Sequence, residues 1–175
     1  IPFGVLIGAT AEDAKNLLTE IVYELAENEE IARDWPHICI PFARAIENQN
    51  RVRFFTHRGA PVRLTINRNK IIFPSPAGSR DPACGAILMA RGITSGIRGL
   101  RHKYPDGSVI RPSHYFGDDL QTDESAASPM QVATREKLLG TIRGLAGPGQ
   151  KIGGILNMTI IEPNDLAHRL SLIHI

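Results

Sequence analysis

Two adjacent carboxylates, Asp118 and Asp119, close a short semi-apolar run over 113–117 and precede a polar stretch, Leu120-Gln121-Thr122-Asp123-Glu124-Ser125, that leads to a helix start. In an α/β protein this layout puts two acids at the carboxyl end of a strand, where open parallel sheets bind their ligands. Such a pair can serve a magnesium–phosphate site: Mg²⁺ takes one or two carboxylates and keeps several waters, and a second acid can orient an attacking water. A surface turn fits the same spacing, since Asp is a common turn residue. A third reading is a metal-dependent nuclease in which Asp118, Asp119, Asp123 and Glu124 chelate two ions. It is ranked last, because two-metal sites usually gather their ligands from separate elements.

Two further stretches carry charge in a usable pattern. Residues 91–103, Arg-Gly-Ile-Thr-Ser-Gly-Ile-Arg-Gly-Leu-Arg-His-Lys, mix glycines that let backbone amides approach an anion with cationic side chains, as a phosphate or DNA loop does. Arg98 is the candidate there for sensing nucleotide or DNA, against an ordinary loop arginine. No Gly-x-x-x-x-Gly-Lys-Ser/Thr phosphate loop occurs anywhere in the chain. Residues 42–73 hold Arg44, Arg51, Arg53, Arg58, Arg63, Arg68 and Lys70 among Phe54 and Phe55. A basic hairpin there tracks a nucleic-acid backbone or is a solvated strand face. Trp35 reads as a core anchor beneath a loop rather than a stacking platform for a base.

The elements that must hold these residues follow from periodicity. The apolar run 2–8 is a buried parallel strand, and Ala14, Leu17, Leu18, Ile21, Val22 and Leu25 give a helix over 11–27, capped by Thr10 with Asp13 three residues on. The alternation of 62–66, the turn 67–69 and the run 70–73 predict an antiparallel hairpin, followed by a loop over 74–79; 38–40 is too short to assign. A second buried strand falls at 86–90. Ser128, Pro129 and Gln131 start a helix reaching about 145, with Val132, Leu138, Ile142 and Leu145 inward and Gly147-Pro148-Gly149 as its stop. Residues 151–159 read as another central strand ending in Thr159, and 163–167 start a last helix.

Composition sets the bounds. At 175 residues and 42% hydrophobic, the chain suits one cored α/β domain and is too short for two large ones. No run is long enough to span a bilayer and no charged-then-apolar leader is present, so the reading is soluble and intracellular. Cys39 and Cys84 stand far apart and outside any Cys-x-x-Cys pair, which argues against zinc and for buried free thiols. The net charge of +2 announces no nucleic-acid binder, so any basic surface is local.

Arg111-Pro112, the strand after it and Asp118-Asp119-Leu120-Gln121-Thr122-Asp123-Glu124-Ser125-Ala126 resemble the Walker B region of the large terminase subunits of tailed bacteriophages. The Gly-Ile-Arg-Gly-Leu segment before it and a threonine after the following strand resemble the same family, over about 2–169. Ser113, His114 and Gly117 depart from the branched-apolar strand usual there. The resemblance implies a RecA-like P-loop NTPase core with a mostly parallel sheet, truncated before its first strand and carrying an antiparallel hairpin insertion. It implies Asp118 as the Mg²⁺ acid, Asp119 as the catalytic acid positioning water, and Thr159 as the coupling residue whose hydroxyl links the nucleotide site to the neighbouring domain. The activity implied is ATP hydrolysis in a DNA-packaging motor, with ATP and Mg²⁺ as cofactors. Its implied partners are double-stranded DNA, the portal protein, the small terminase subunit and other copies in a homo-oligomeric ring, in the cytoplasm of the infected bacterium and without a membrane. The alternative readings are a nucleic-acid-binding module without ATPase activity and the nuclease fragment. The ends look like those of an internal piece, with the phosphate loop expected upstream and a nuclease domain downstream. Residues 170–175 resemble a translated sequencing adapter.

Overall fold

The apolar run after Pro2 forms strand β1 (Phe3–Gly8), buried along its whole length as a strand covered on both faces must be. The chain then turns at once into helix α1 (Ala11–Glu27). Thr10 accepts from the Asp13 amide while the Asp13 carboxylate takes the Thr10 amide, so the expected capping box is made in full. Ala14, Leu18 and Val22 form the buried face. The computed structural model describes residues 2–47, 56–57, 59–76 and 80–171.

Two short helices follow where periodicity offered no assignment. Asn28 ends α1 and caps α2 (Glu29–Asp34), its Oδ1 accepting from Glu30 and Ile31. Pro36 opens α3 (Pro36–Glu47), which buries Ile38, Cys39 and Phe42. Trp35 is not the anchor that was expected. It caps the C-terminus of α2 with 50% of its surface exposed, because Ile38 and Phe42 one helix later fill the adjoining core.

The sheet is mixed. Six strands, β3 (Ala60–Asn67), β4 (Lys70–Pro76), β5 (Ile87–Gly92), β1, β8 (His114–Asp118) and β9 (Gly153–Asn157), lie side by side in that order, and a two-residue strand, β2 (Thr56–His57), pairs antiparallel on the outside of β3. Strands β3 (Ala60–Asn67) and β4 (Lys70–Pro76) form the expected hairpin. The loop expected from 74 onward begins later, because a register shift between Arg63 and Thr65 lets β4 continue through Pro74 to Pro76 without needing proline donors. Arg51, Arg53, Phe54, Phe55 and Arg58 lie outside the described residues. Strand β5 (Ile87–Gly92) runs parallel to β1, and so does β8 (His114–Asp118) on the other side of it. Between them, β6 (His102–Lys103) and β7 (Val109–Ile110) form a separate antiparallel ribbon.

Strand β9 (Gly153–Asn157) pairs parallel with β8 alone, so among the described residues it is an edge and not the central strand expected over 151–159. It stops early because the amide of Thr159 bonds to Asp119 instead of extending the ladder. Helices α1 and α3 cover one face of the sheet, around Leu6, Leu18, Phe42 and Ile71. The other face buries Phe3, Val5, Ile7, Leu120, Val132, Ile142 and Leu166, packed from α5 (Pro129–Ile142) and α6 (Leu166–Ser171). Helix α5 ends one turn before 145, although Leu145 is still buried beyond it. Leu170 and Ser171 belong to α6, and 172–175 lie outside the described residues. No helix among the described residues is long and apolar enough to cross a membrane.

Candidate functional site

The four parallel strands end on one rim. Gly8 is in register with Gly92, Ile7 with Gly117, and Asp118 with Asn157. The connection from β1 leaves toward α1 on one face. The connection from β8 leaves through α4 (Asp123–Ala126) and α5 on the other. Adjacent parallel strands whose connections diverge in this way open a crevice at their carboxyl ends, and the acid pair stands at that crevice.

Asp118 is the last residue of β8 and half-buried; its Oδ1 accepts from Asn157 Nδ2 at 3.1 Å. Asp119 is exposed and turns the chain with φ +36°, a conformation that side chains other than glycine seldom take and Asp tolerates better than most. Its neighbours hold it there. The Asp119 amide donates to Asn157 O at 3.0 Å, and its Oδ1 accepts from the Thr159 amide at 3.0 Å. Leu120 is fully buried, and its carbonyl accepts from Arg135 Nε at 3.0 Å. A backbone outlier fixed at several points beside a cluster of polar groups points to a function for the residue that carries it.

Thr159 lies two residues past the end of β9 and meets Asp119 through its main chain, its amide rather than its hydroxyl making the contact. Arg98 is exposed between buried Ile97 and Leu100, with Gly96 and Gly99 in left-handed conformations on either side. It makes no ion pair or side-chain hydrogen bond among the described residues. Asp123 and Glu124 lie in the exposed first turn of α4, where they favour the helix N-terminus. Among the described residues, no three His, Cys, Asp or Glu side chains could hold one ion together, so the two-ion nuclease reading gains no support. One carboxylate with waters is a donor set that suits Mg²⁺, and Asp118 can offer it.

Four residues at this rim escaped the sequence reading: Asn157, Gln121, Asp165 and Arg135. Each acts across the fold, from β9, from the loop after the acids, from the cap of α6 and from α5. The one local signal was Asp165, a good N-cap residue at the helix start expected over 163–167. Arg135 is buried, and that burial lowers its pKa against the opposing charge of Glu124. Burial pushes the Asp165 carboxyl up, but the amides of His168, Glu162 and Ile161 and the side chain of Gln121 outweigh it and hold the group at about 2, below its ordinary 3.8.

A carboxyl whose folded pKa lies below its unfolded value stabilises fully above the unfolded pKa, and the contribution is lost as pH falls through the folded one. Melting temperatures of the wild type and Asp165→Asn should therefore differ most above about pH 4 and converge toward about pH 2. A gap that does not depend on pH in that window would remove the charge from the account.

The chain matches no protein-family model, no curated protein and no solved structure.

Proposed function

We propose that the chain is the later part of the ATPase domain of a large terminase subunit and works in a motor that moves double-stranded DNA into a viral prohead. The observation that carries this reading is the acid pair at the diverging carboxyl ends of β1 and β8, with Asp119 in a constrained turn bonded to Thr159 just beyond β9. In this reading bound Mg²⁺·ATP supplies the reactive phosphate and the charge that polarises it. Asp118 holds the hydration shell of the ion, Asn157 fixes the Asp118 carboxylate, and Asp119 orients the attacking water. The portal protein, the small subunit and further copies in a ring remain its partners in this reading, and Arg98 its candidate nucleotide or DNA sensor.

The reading needs a lysine-bearing phosphate loop from elsewhere in a longer polypeptide. Such a loop must lie within one or two strand spacings of Asp118, roughly 5–10 Å. Strand β1 fills one side of β8. On the other side β9 has no outer neighbour among the described residues, and Ile155 on it is 66% exposed. A parallel strand bearing the loop fits against that edge.

The test has two parts. The chain alone turns over no ATP, and turnover lost on Asp119→Asn in this chain would refute that. In a longer protein that supplies the loop, Asp118→Ala raises the Mg²⁺ requirement and lowers kcat/KM by about a hundredfold or more. Duplex DNA binding that weakens with salt, ignores nucleotide and is untouched by Asp118→Ala would instead favour the binding module.

A further inference from the structure

The loop after the acid pair grips the connector after β9 at more points than a turn requires. Gln121 is 4% exposed and its amide is fully used: Nε2 donates to Thr159 O at 3.0 Å and to Asp165 Oδ2 at 2.7 Å, and Oε1 accepts from the Leu166 amide at 3.0 Å. Thr159 is thereby held from both sides by one loop, its amide by Asp119 and its carbonyl by Gln121. Asp165 is fully buried. Its Oδ2 also accepts from Ile161 and Glu162, and its Oδ1 caps α6 through His168.

We infer that Gln121 is a positioning residue that binds Asp119, Thr159 and helix α6 into one mechanical unit, so that releasing the Asp119 carboxylate from Thr159 loosens α6. The chain of contacts is continuous. If Asp119 Oδ1 turns to a water or an ion, it gives up the Thr159 amide. The peptide of Thr159 then hangs on Gln121, whose remaining bonds end on Asp165 and Leu166, the cap and first residue of α6. Buried polar networks transmit such changes because each group left unpaired costs more than its bond contributes. An apolar side chain at 121 would pack but would pass nothing on.

That the signal reports nucleotide rests on the function proposed above; the coupling itself does not. The experiment is therefore amide hydrogen exchange in this chain without nucleotide, read at His168 and Arg169, whose amides bond to Asp165 and not to Gln121. Asp119→Gly removes the acceptor and tolerates the positive φ. It should speed exchange at those amides by about tenfold, and in a Gln121→Leu background it should add nothing there. Should Gln121→Leu fail to fold, Gln121→Met keeps the length without adding charge, loses both donated bonds and gives the same comparison. Unchanged exchange at His168 and Arg169 on Asp119→Gly, or the same change in both backgrounds, overturns the inference. In the longer protein, Gln121→Leu should lower kcat and leave KM for ATP unchanged. Exchange coupling in this chain together with a longer wild-type protein that carries the phosphate loop yet shows no turnover refutes the ATPase reading and leaves the positioning role standing.

Discussion

Asp119→Asn in a protein that supplies the phosphate loop is expected to lower kcat for ATP hydrolysis by about 10²–10⁴-fold, with KM and melting temperature close to wild type. Asparagine keeps the shape of the side chain and can accept from the Thr159 amide through its own oxygen, as Asp119 Oδ1 does at 3.0 Å. It also tolerates the positive φ of the turn as well as aspartate does. What it loses is the charge and basicity that orient and polarise a water. The substitution therefore separates chemistry from architecture at a position where most others would disturb both. Steady-state turnover and a melting curve on the same preparation read the two quantities. Turnover within tenfold of wild type would take Asp119 out of the chemistry, whereas a large fall in melting temperature would mark it as a structural turn residue.

The legible parts of this fold were those in which a short stretch determines its own structure. The bounds of α1 could be read because Thr10, Asp13 and an apolar stripe at helical spacing all lie within the helix they specify. The same holds for β1 and the β3–β4 hairpin, and for the start of α5 at Ser128 and Pro129. Helices α2 and α3 were not legible: α2 only half-buries Ile31 and Ala32, and α3 carries Pro41 inside. Their stability comes from packing, α3 against α1 and β4 and α2 against α3. A rule based on local pattern has no term for that.

The candidate site divides along the same line. That Asp118 and Asp119 end a strand was visible in the residues themselves. That Asn157 and Thr159 reach them, and that Gln121 ties Thr159 to Asp165, was not, because it depends on β9 lying beside β8 and on where the connector to α6 returns. Thr159 shows the difference well. Its place after the strand marked it, yet the contact is made by its amide, a group every residue but proline carries.

Gly92→Ala is expected to destabilise the chain by about 3 kcal/mol or more, lowering the melting temperature by roughly 10 °C. A β-carbon at Gly92 would stand 2.4 Å from the Ala11 amide nitrogen and 2.6 Å from the Thr10 carbonyl carbon. Both are backbone atoms, so no side-chain rotation relieves the overlap; either the first turn of α1 lifts from the sheet or the end of β5 moves. Lifting α1 disturbs its buried face, Ala14, Leu18 and Val22, and the capping box at Thr10. Moving β5 breaks its register with β1 at Gly8 and the bond from the Gly92 amide to Ser95 Oγ, and so displaces the loop that carries Arg98. The same substitution at Gly140 should act in the opposite direction. Gly140 lies within α5 with nothing inside 4 Å of an added β-carbon, so alanine there removes backbone freedom from the unfolded chain and stabilises by about 0.5–1 kcal/mol. Thermal melts of the two variants provide the check. If Gly92→Ala melts as high as wild type, the close approach of α1 to the rim is not what fixes the carboxyl ends of β1 and β5 or the start of the loop that carries Arg98.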